Sequence, residues 1–378
     1  MAGKQSLRVA IVHDWLVGGG AERVVFELHK MFPAAPIYTS YCSDEWRAKL
    51  DGKVVTGWLQ HFGKLRKFLP VLRIWWFTHL KFDGYDLVIS SSGAEAKGVK
   101  VPKGTIHVNY CHAPTHYYWS RYDEYLARPG FGVFDPLARL GLKLLVGSLR
   151  KWDYKAAQRP DYMIANSSHT QAEIKKYYGR DSVVIHPPVD MSRFRTPKSK
   201  HERFRAGFLA GGRLTPYKRN DLAVQACTKL HLPLTIYGDG PDRARLESMA
   251  GPNVTFTGFI SDEAVADLFA SSEAFIFPLV DDFGVVGIEA LAGGTPVIAY
   301  KAGGALDYVV PGKTGEFFTS QTAAALEKAL QTFDPKKYDA REIIKFANRF
   351  SVENFTGKMK GFLEKILSPY LHGHAGQT

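Results

Sequence analysis

Short apolar runs alternate along the whole chain with stretches whose apolar residues repeat every three or four positions. The first run, LRVAIV (Leu7–Val12), ends in His-Asp-Trp and is followed by a glycine cluster and then AERVVFELHKMF. There Val24, Val25, Leu28 and Met31 fall on one helical face, which predicts strand, glycine-rich loop, helix. DLVIS (Asp86–Ser90), TIHVNY (Thr105–Tyr110) and DYMIAN (Asp161–Asn166) read as further strands. VVIHPPVD (Val183–Asp190) closes on a double proline, which stops regular structure. Beyond it FLAGG, LTIYG, VTFTG, AFIFP and PVIAY are strand-like, with a helical segment between each pair. Such alternation with short turns predicts parallel sheets covered on both faces.

Two such sheets in tandem make an α/β chain of two doubly wound, Rossmann-like domains. Ligands of these folds bind at the carboxyl ends of strands, so a central cleft faced by both domains is the expected site. The expected boundaries are a first domain at 1–190 and a second at 206–350. The linker, 191–205, lies within a Lys-, Arg- and Pro-rich stretch running from Pro187 to Arg205. A C-terminal helix over 351–372 is expected to return to the first domain, and 373–378 to be a disordered tail.

Composition agrees with this organisation and narrows the class. A chain of 378 residues is too long for one compact core, and 13% aromatic with 23% charged residues is a globular balance. Its three cysteines, Cys42, Cys111 and Cys227, lack any Cys-x-x-Cys spacing, so neither a disulfide framework nor a zinc site is indicated. The opening MAGKQSLRVAIVHDW carries no signal-peptide pattern, and no apolar stretch is long enough to span a bilayer. A cytoplasmic protein is expected.

Charge changes the picture because it is lopsided. Of the net +12, residues 1–200 hold +13 (30 of 49 Lys and Arg, 17 of 37 Asp and Glu) and the remainder −1. Either an anionic partner faces the first half or that half has a basic solvated surface. One stretch concentrates the pattern: Lys53–Phe82 carries Lys53, Lys64, Arg66, Lys67, Arg73 and Lys81 without a single Asp or Glu. Trp58, Phe62, Phe68, Trp75, Trp76 and Phe77 are interleaved with these cations. The mixture fits a segment lying on an anionic membrane, which would place the protein peripherally on the inner face of the plasma membrane. It equally fits a domain helix with aromatics inside and cations outside. A basic patch alone does not indicate nucleic acid, and none is expected.

Four stretches carry candidate chemistry. VGGGAERVV (Val17–Val25) sets Gly19 and Gly20 at a helix start, where backbone N–H groups can meet a phosphate. GGRLTPYKRND (Gly211–Asp221) puts Arg213 and Lys218 between a strand and a helix, a forked donor and a compact cation suited to an anion. LTIYGDGP (Leu234–Pro241) ends a strand at Gly238, where the backbone can approach a ligand. FPLVDDFGVVGIEALAGGTPVIAY (Phe277–Tyr300) places two adjacent acids, Asp281 and Asp282, before Phe-Gly, and a lone Glu289 inside an apolar helix.

In this order the motifs resemble the retaining glycosyltransferases of family 4, which have the GT-B fold. The likeness runs over nearly the whole chain and is densest from Gly211 to Tyr300. NSSHTQAEI with HPPVD, and YCHAPTHYYW (Tyr110–Trp119), match the family's first domain. The resemblance implies a nucleotide-sugar site with two glutamates separated by seven residues. Glu289 is the second, and the first position falls on Asp281, one methylene shorter and followed by Asp282. It further implies that Arg213 and Lys218 stabilise the leaving diphosphate without a metal, and that Glu289 accepts hydrogen bonds from the ribose. His112 would position the sugar; a histidine, His116, stands where many relatives have arginine. Gly238, Phe259, Phe283, Gly284 and Val285 complete the implied donor site, with Gly19 and Gly20 from the first domain. The opening HDWLVGGGAERV and the CHAP loop look most like bacterial mannosyltransferases acting on lipid-linked or envelope glycans. The expected reaction is therefore transfer of mannose from GDP-mannose to a glycan or lipid-linked acceptor. A UDP-sugar-dependent enzyme of the same fold, or a non-catalytic nucleotide-sugar-binding scaffold, remain alternatives.

Overall fold

Among the described residues all the strand pairs are parallel, and they make two sheets. The computed structural model describes residues 7–62, 70–127, 129–130, 132–194 and 205–373. The chain divides into two compact units, 1–187 and 188–378.

The first unit contains β1 (Val9–His13), β2 (Ile37–Thr39), β3 (Val54–Thr56), β4 (Leu87–Ser92), β5 (Ile106–Cys111), β6 (Tyr162–Ala165) and β7 (Val183–Val184). Their order across the sheet is β3-β2-β1-β4-β5-β6-β7. Every residue of β1, β4 and β5 is buried, as expected of central strands covered on both faces. The centre is nevertheless polar. Ser90 Oγ lies 2.8 Å from His107 Nε2, and Asn109 Nδ2 donates to the Ser90 carbonyl at 3.0 Å, which pairs β4 with β5 through side chains and leaves His107 Nδ1 and Asn109 Oδ1 buried without a partner among the described residues.

The second unit contains β8 (Phe208–Gly211), β9 (Leu234–Tyr237), β10 (Val254–Gly258), β11 (Ala274–Phe277), β12 (Val297–Tyr300) and β13 (Gly315–Phe318), ordered β10-β9-β8-β11-β12-β13. In both units the strand order runs outward in one direction, returns to the first strand and proceeds in the other. This is the doubly wound arrangement, with its switch point between β1 and β4 in the first unit and between β8 and β11 in the second.

Short strands account for what the apolar pattern left out. β2, β3 and β7 span only three, three and two residues, and β13 opens on glycine and glutamate. Of the expected linker, 195–204 lies outside the described residues. Met191–Phe194 forms a 3-10 turn whose Met191 and Phe194 join the second unit's apolar core. The last helix, Val352–Gly373, buries Phe355, Met359, Leu363, Ile366 and Leu367 along one face. Residues 374–378 of the expected tail lie outside the described residues.

Lys53–Phe82 is corrected in part. Arg73 is not an outward cation: its guanidinium makes paired bonds to Glu95 at 3.1 and 2.8 Å, and both side chains are buried. Trp76, Phe77 and Phe82 belong to the first unit's core, where they pack with Val12, Val88 and Val99. Trp58, Phe62 and Trp75 do reach solvent, whereas Lys64, Arg66, Lys67 and Phe68 lie outside the described residues. Among the described residues no helix is long and apolar enough to cross a membrane.

Candidate active site

Beside the switch point of the second unit, the loops that leave β8 and β9 cross immediately after their strands. Leaving β8, Gly212 N–H donates to the Tyr237 carbonyl at 2.9 Å, and Leu214 N–H donates to the Asp239 carbonyl at 2.9 Å. The crossing is so close that a Cβ on Gly238, at φ 95°, would collide with the Gly212 carbonyl. Gly238 is therefore required by backbone approach.

This crossing is the base on which the two candidate cations stand. Arg213 is exposed. Lys218 closes the 3-10 turn Pro216–Lys218, with its ammonium directed over Gly212. Among the described residues neither side chain has a hydrogen bond or an ion pair. The neighbouring Arg219 differs: it is held by Asp221 through bonds of 3.1 and 3.3 Å. Two uncompensated cations on one rigid loop make a site that favours an anion.

From β11 the chain passes through Asp281 and Asp282 into the helix Val285–Ala292. Asp281 is fixed locally: its Oδ1 accepts from Asp282 N–H at 3.0 Å, and its carbonyl accepts from Gly304 N–H at 2.8 Å. Phe283 is buried between the rings of Tyr308 and Phe350, 6.1 and 5.8 Å away. Gly284 holds the helix N-cap at φ 82°, and a Cβ there would meet both Phe277 and the Tyr308 hydroxyl at 2.7 Å. No side chain caps this helix start, so the positive end of its dipole is directed outward from β11.

Glu289 lies one turn further on and is 9% exposed. Arg193 answers the question of how an apolar helix holds an acid. Its Nη1 is 3.7 Å from Glu289 Oε1, while its Nη2 is 2.6 Å from Asp262. The Glu289 carboxylate is also felt by Tyr237, whose phenol is pushed up by burial first and by that charge second. Phe259, after the β10 edge strand, is almost fully exposed. Arg193 was missed in the sequence because it falls in a stretch that reads as linker.

In the first unit the corresponding loops are built on Asp14, which falls outside the four motifs. Asp14 follows β1, is buried, and accepts from Ser92 Oγ and from the N–H groups of Gly93, Ala94 and Ala96 at 2.8 to 3.1 Å. One carboxylate thereby fixes the loop that follows β4. His112, just past β5, lies beside this loop: its Nε2 is 2.8 Å from Ser91 Oγ, and its N–H donates to the Ser92 carbonyl at 3.0 Å. His13 Nδ1 sits 2.6 Å from the Ser91 carbonyl, so Ser91 links both histidines.

The glycine loop is partly occupied by its own helix. Gly20 opens the helix Gly20–Met31, and Glu22 folds back so that its Oε1 accepts from Val17 and Gly18 at 3.3 and 3.1 Å. Gly19 and Gly20 are exposed beside that carboxylate.

These two switch-point sites lie within regions that known families match. The family described as Glycosyltransferase Family 4 matches residues 18–193, and Glycosyl transferases group 1 matches residues 194–349. The chain belongs to the GT-B glycosyltransferases of family 4. It is 38% identical over 138 residues to a GDP-mannose-dependent alpha-mannosyltransferase of Mycobacterium tuberculosis, an alignment covering 34% of this chain and 35% of that one. It is 29% identical over 205 residues to the D-inositol 3-phosphate glycosyltransferase of Streptomyces avermitilis, covering 46% of this chain and 44% of the relative. The match thus spans less than half the length of either. Anabaena HepE in complex with UDP shares the fold, with a TM-score of 0.69 at 18% identity over 95% of this chain and 100% of that one.

Proposed function

We propose that this family member transfers a hexosyl unit, mannose from GDP-mannose, to a glycan or lipid-linked acceptor with retention of configuration. The observation that carries the reading is the pair Arg213 and Lys218, both without a counter-charge and both seated on the Gly212–Gly238 crossing after β8. The neighbouring strand β11 leads to an uncapped helix start at Gly284 and Val285. A nucleoside diphosphate would satisfy both features at once.

In this reading Arg213 and Lys218 oppose the charge that grows on the leaving diphosphate, an electrostatic contribution made without a metal. The Gly284–Val285 helix start adds its dipole. Glu289, its charge offset by Arg193, accepts from the ribose hydroxyls. Asp281 and Asp282 stand where the sugar would lie, and Phe259 offers an open ring face to the base. In the first unit His112, aligned by Ser91, orients the transferred sugar, and Gly19 and Gly20 offer backbone N–H groups to the donor phosphate.

GDP-mannose is favoured because relatives matching this chain bear that donor in their names. The rival is a UDP-sugar, favoured by the UDP in the HepE structure. A thermal-shift screen of GDP, UDP and ADP with their sugars, followed by transfer assays and NMR of the product anomer, separates the two. Lys218→Ala should abolish most turnover with the melting temperature little changed, because a half-buried loop cation without an ion-pair partner contributes little to stability. Full activity in that variant would remove the clamp assignment, and binding without transfer or donor hydrolysis would favour a scaffold.

A further inference from the structure

The helix Asp135–Ala157 is apolar on two opposite sides. Inward, it buries Leu149, Ala156 and Ala157 and the paired carboxylate of Asp153. Outward, Leu137, Leu140 and Leu144 fall within an arc of roughly 60° at 3.6 residues per turn. They are 69%, 54% and 73% exposed. Val133 and Phe134, in the 3-10 turn leading into the helix, continue the stripe at 89% and 60% exposed. A contiguous apolar strip of this kind marks a contact surface.

Charge identifies the contact. Lys143, Lys151 and Lys155 are exposed on the same helix, and Lys151 continues the line of Leu140 and Leu144. The helix has only two acids: Asp135 in its first turn, and Asp153, which is spent on Lys97. A leucine stripe bordered by lysines, with an aromatic at one end, has the make-up of a helix lying in the headgroup layer of an anionic bilayer. A second copy packed about a two-fold axis would present the same leucines and lysines and no helix acid but Asp135, which leaves the cations without partners. We propose that the outward face of Asp135–Ala157 docks the first unit on an anionic lipid surface. This face is distinct from the Trp58, Phe62 and Trp75 patch, and the inference does not depend on the donor.

The test is flotation of the full chain with phosphatidylglycerol-containing vesicles and with pure phosphatidylcholine vesicles, at low and high salt. The wild type should float with the anionic vesicles and be released by salt. Combined Leu137→Gln, Leu140→Gln and Leu144→Gln should reduce the bound fraction at least tenfold, and Lys143→Glu with Lys151→Glu severalfold. Because all five side chains are exposed, circular dichroism and the melting temperature should match the wild type. A wild type that stays at the bottom of the gradient, or a leucine variant that floats undiminished, overturns the proposal. So does a dimer by light scattering that the leucine variant dissolves while vesicles capture nothing. Sugar transfer to a soluble acceptor, measured in parallel, should be equal in all variants. Its absence from the wild type would count against the proposed function and leave the flotation result standing.

Discussion

Lys97 Nζ lies 2.6 Å from Asp153 Oδ1, and neither side chain reaches solvent. The pair sits in a closed set of hydrogen bonds. Thr115 donates to Asp153 Oδ1 at 2.8 Å, and Trp119 and Tyr178 each donate to Oδ2 at 2.7 Å. Lys97 also donates to the Ala94 carbonyl at 2.6 Å, so its pairing with Asp153 ties the turn Glu95–Gly98 to the helix Asp135–Ala157. The same turn is held from other sides by Asp14 at Ala96 and by Arg73 at Glu95. Three buried charges from distant parts of the chain thus converge on the loop beside His112.

Breaking this pair should be costly even though forming it adds little. Asp153→Ala leaves an ammonium, an indole N–H and a phenol without their acceptor, so a loss of about 3–5 kcal/mol is expected in urea unfolding. A loss below about 1 kcal/mol would mean that another acceptor replaces the carboxylate, and the loop would not depend on it.

The carboxylates of the second unit make a graded prediction. Glu289→Gln keeps the shape of the side chain but removes the charge facing Arg193, so donor affinity should fall. Asp281→Asn should impair transfer more than Asp282→Asn, because Asp281 occupies the first acidic position of the motif. Donor titrations and initial rates on the three variants decide it. Equal or reversed effects at 281 and 282 would place the sugar contact on Asp282.

Local signals made much of this legible before the structure. The central strand β1 announces itself as an unbroken apolar run, and β4 and β5 by their β-branched and aromatic residues between turn signals, although serines, a histidine and an asparagine interrupt them. Arg213, Lys218, Gly284 and Glu289 were visible because each belongs to a short motif whose spacing fixes its place at a strand end. What escaped were partnerships across sequence distance. Asp14 follows β1 directly, yet the groups it binds lie 78 to 82 residues onward. Arg73 reads as one more surface cation until Glu95 is placed opposite it. Arg193 and Tyr308 reach the Glu289 helix from segments whose own sequence carries no motif.

Tyr308 offers a separate test of packing. Its ring is fully buried, and its hydroxyl has no hydrogen-bond partner among the described residues. Burial, with the charges of Asp281 and Asp307 added, pushes the phenol well up, so it stays neutral at every working pH. Tyr308→Phe removes an unsatisfied polar atom, and it should leave stability unchanged or raise it by about 1 kcal/mol. Gly287→Ala, by contrast, drives a methyl into the Tyr308 ring and should be strongly destabilising. Thermal melts of both variants check the pair. A Tyr308→Phe protein that melts well below wild type would show that the hydroxyl has an acceptor in solution.

His107 sets the acid limit of the first unit. It is fully buried on β5, and its pKa is pushed down to about 3, mainly by burial, with Arg159 and Arg180 adding to the effect. In the unfolded chain the same ring takes up a proton near pH 6.5. Below that value the unfolded state binds one more proton than the folded state, so the folded state loses ground as the pH falls. The contribution is fully present above about pH 6.5, declines by up to about 1.4 kcal/mol per pH unit, and levels off near pH 3, where both states are protonated. His107→Asn should lower stability at pH 7.5, because it leaves space in the sheet centre, while flattening this acid slope. Urea midpoints measured from pH 7.5 down to pH 4 compare the two proteins directly. Parallel curves would mean that the folded chain accepts the proton on His107, and the neutral ring packed against Ser90 would have to be abandoned.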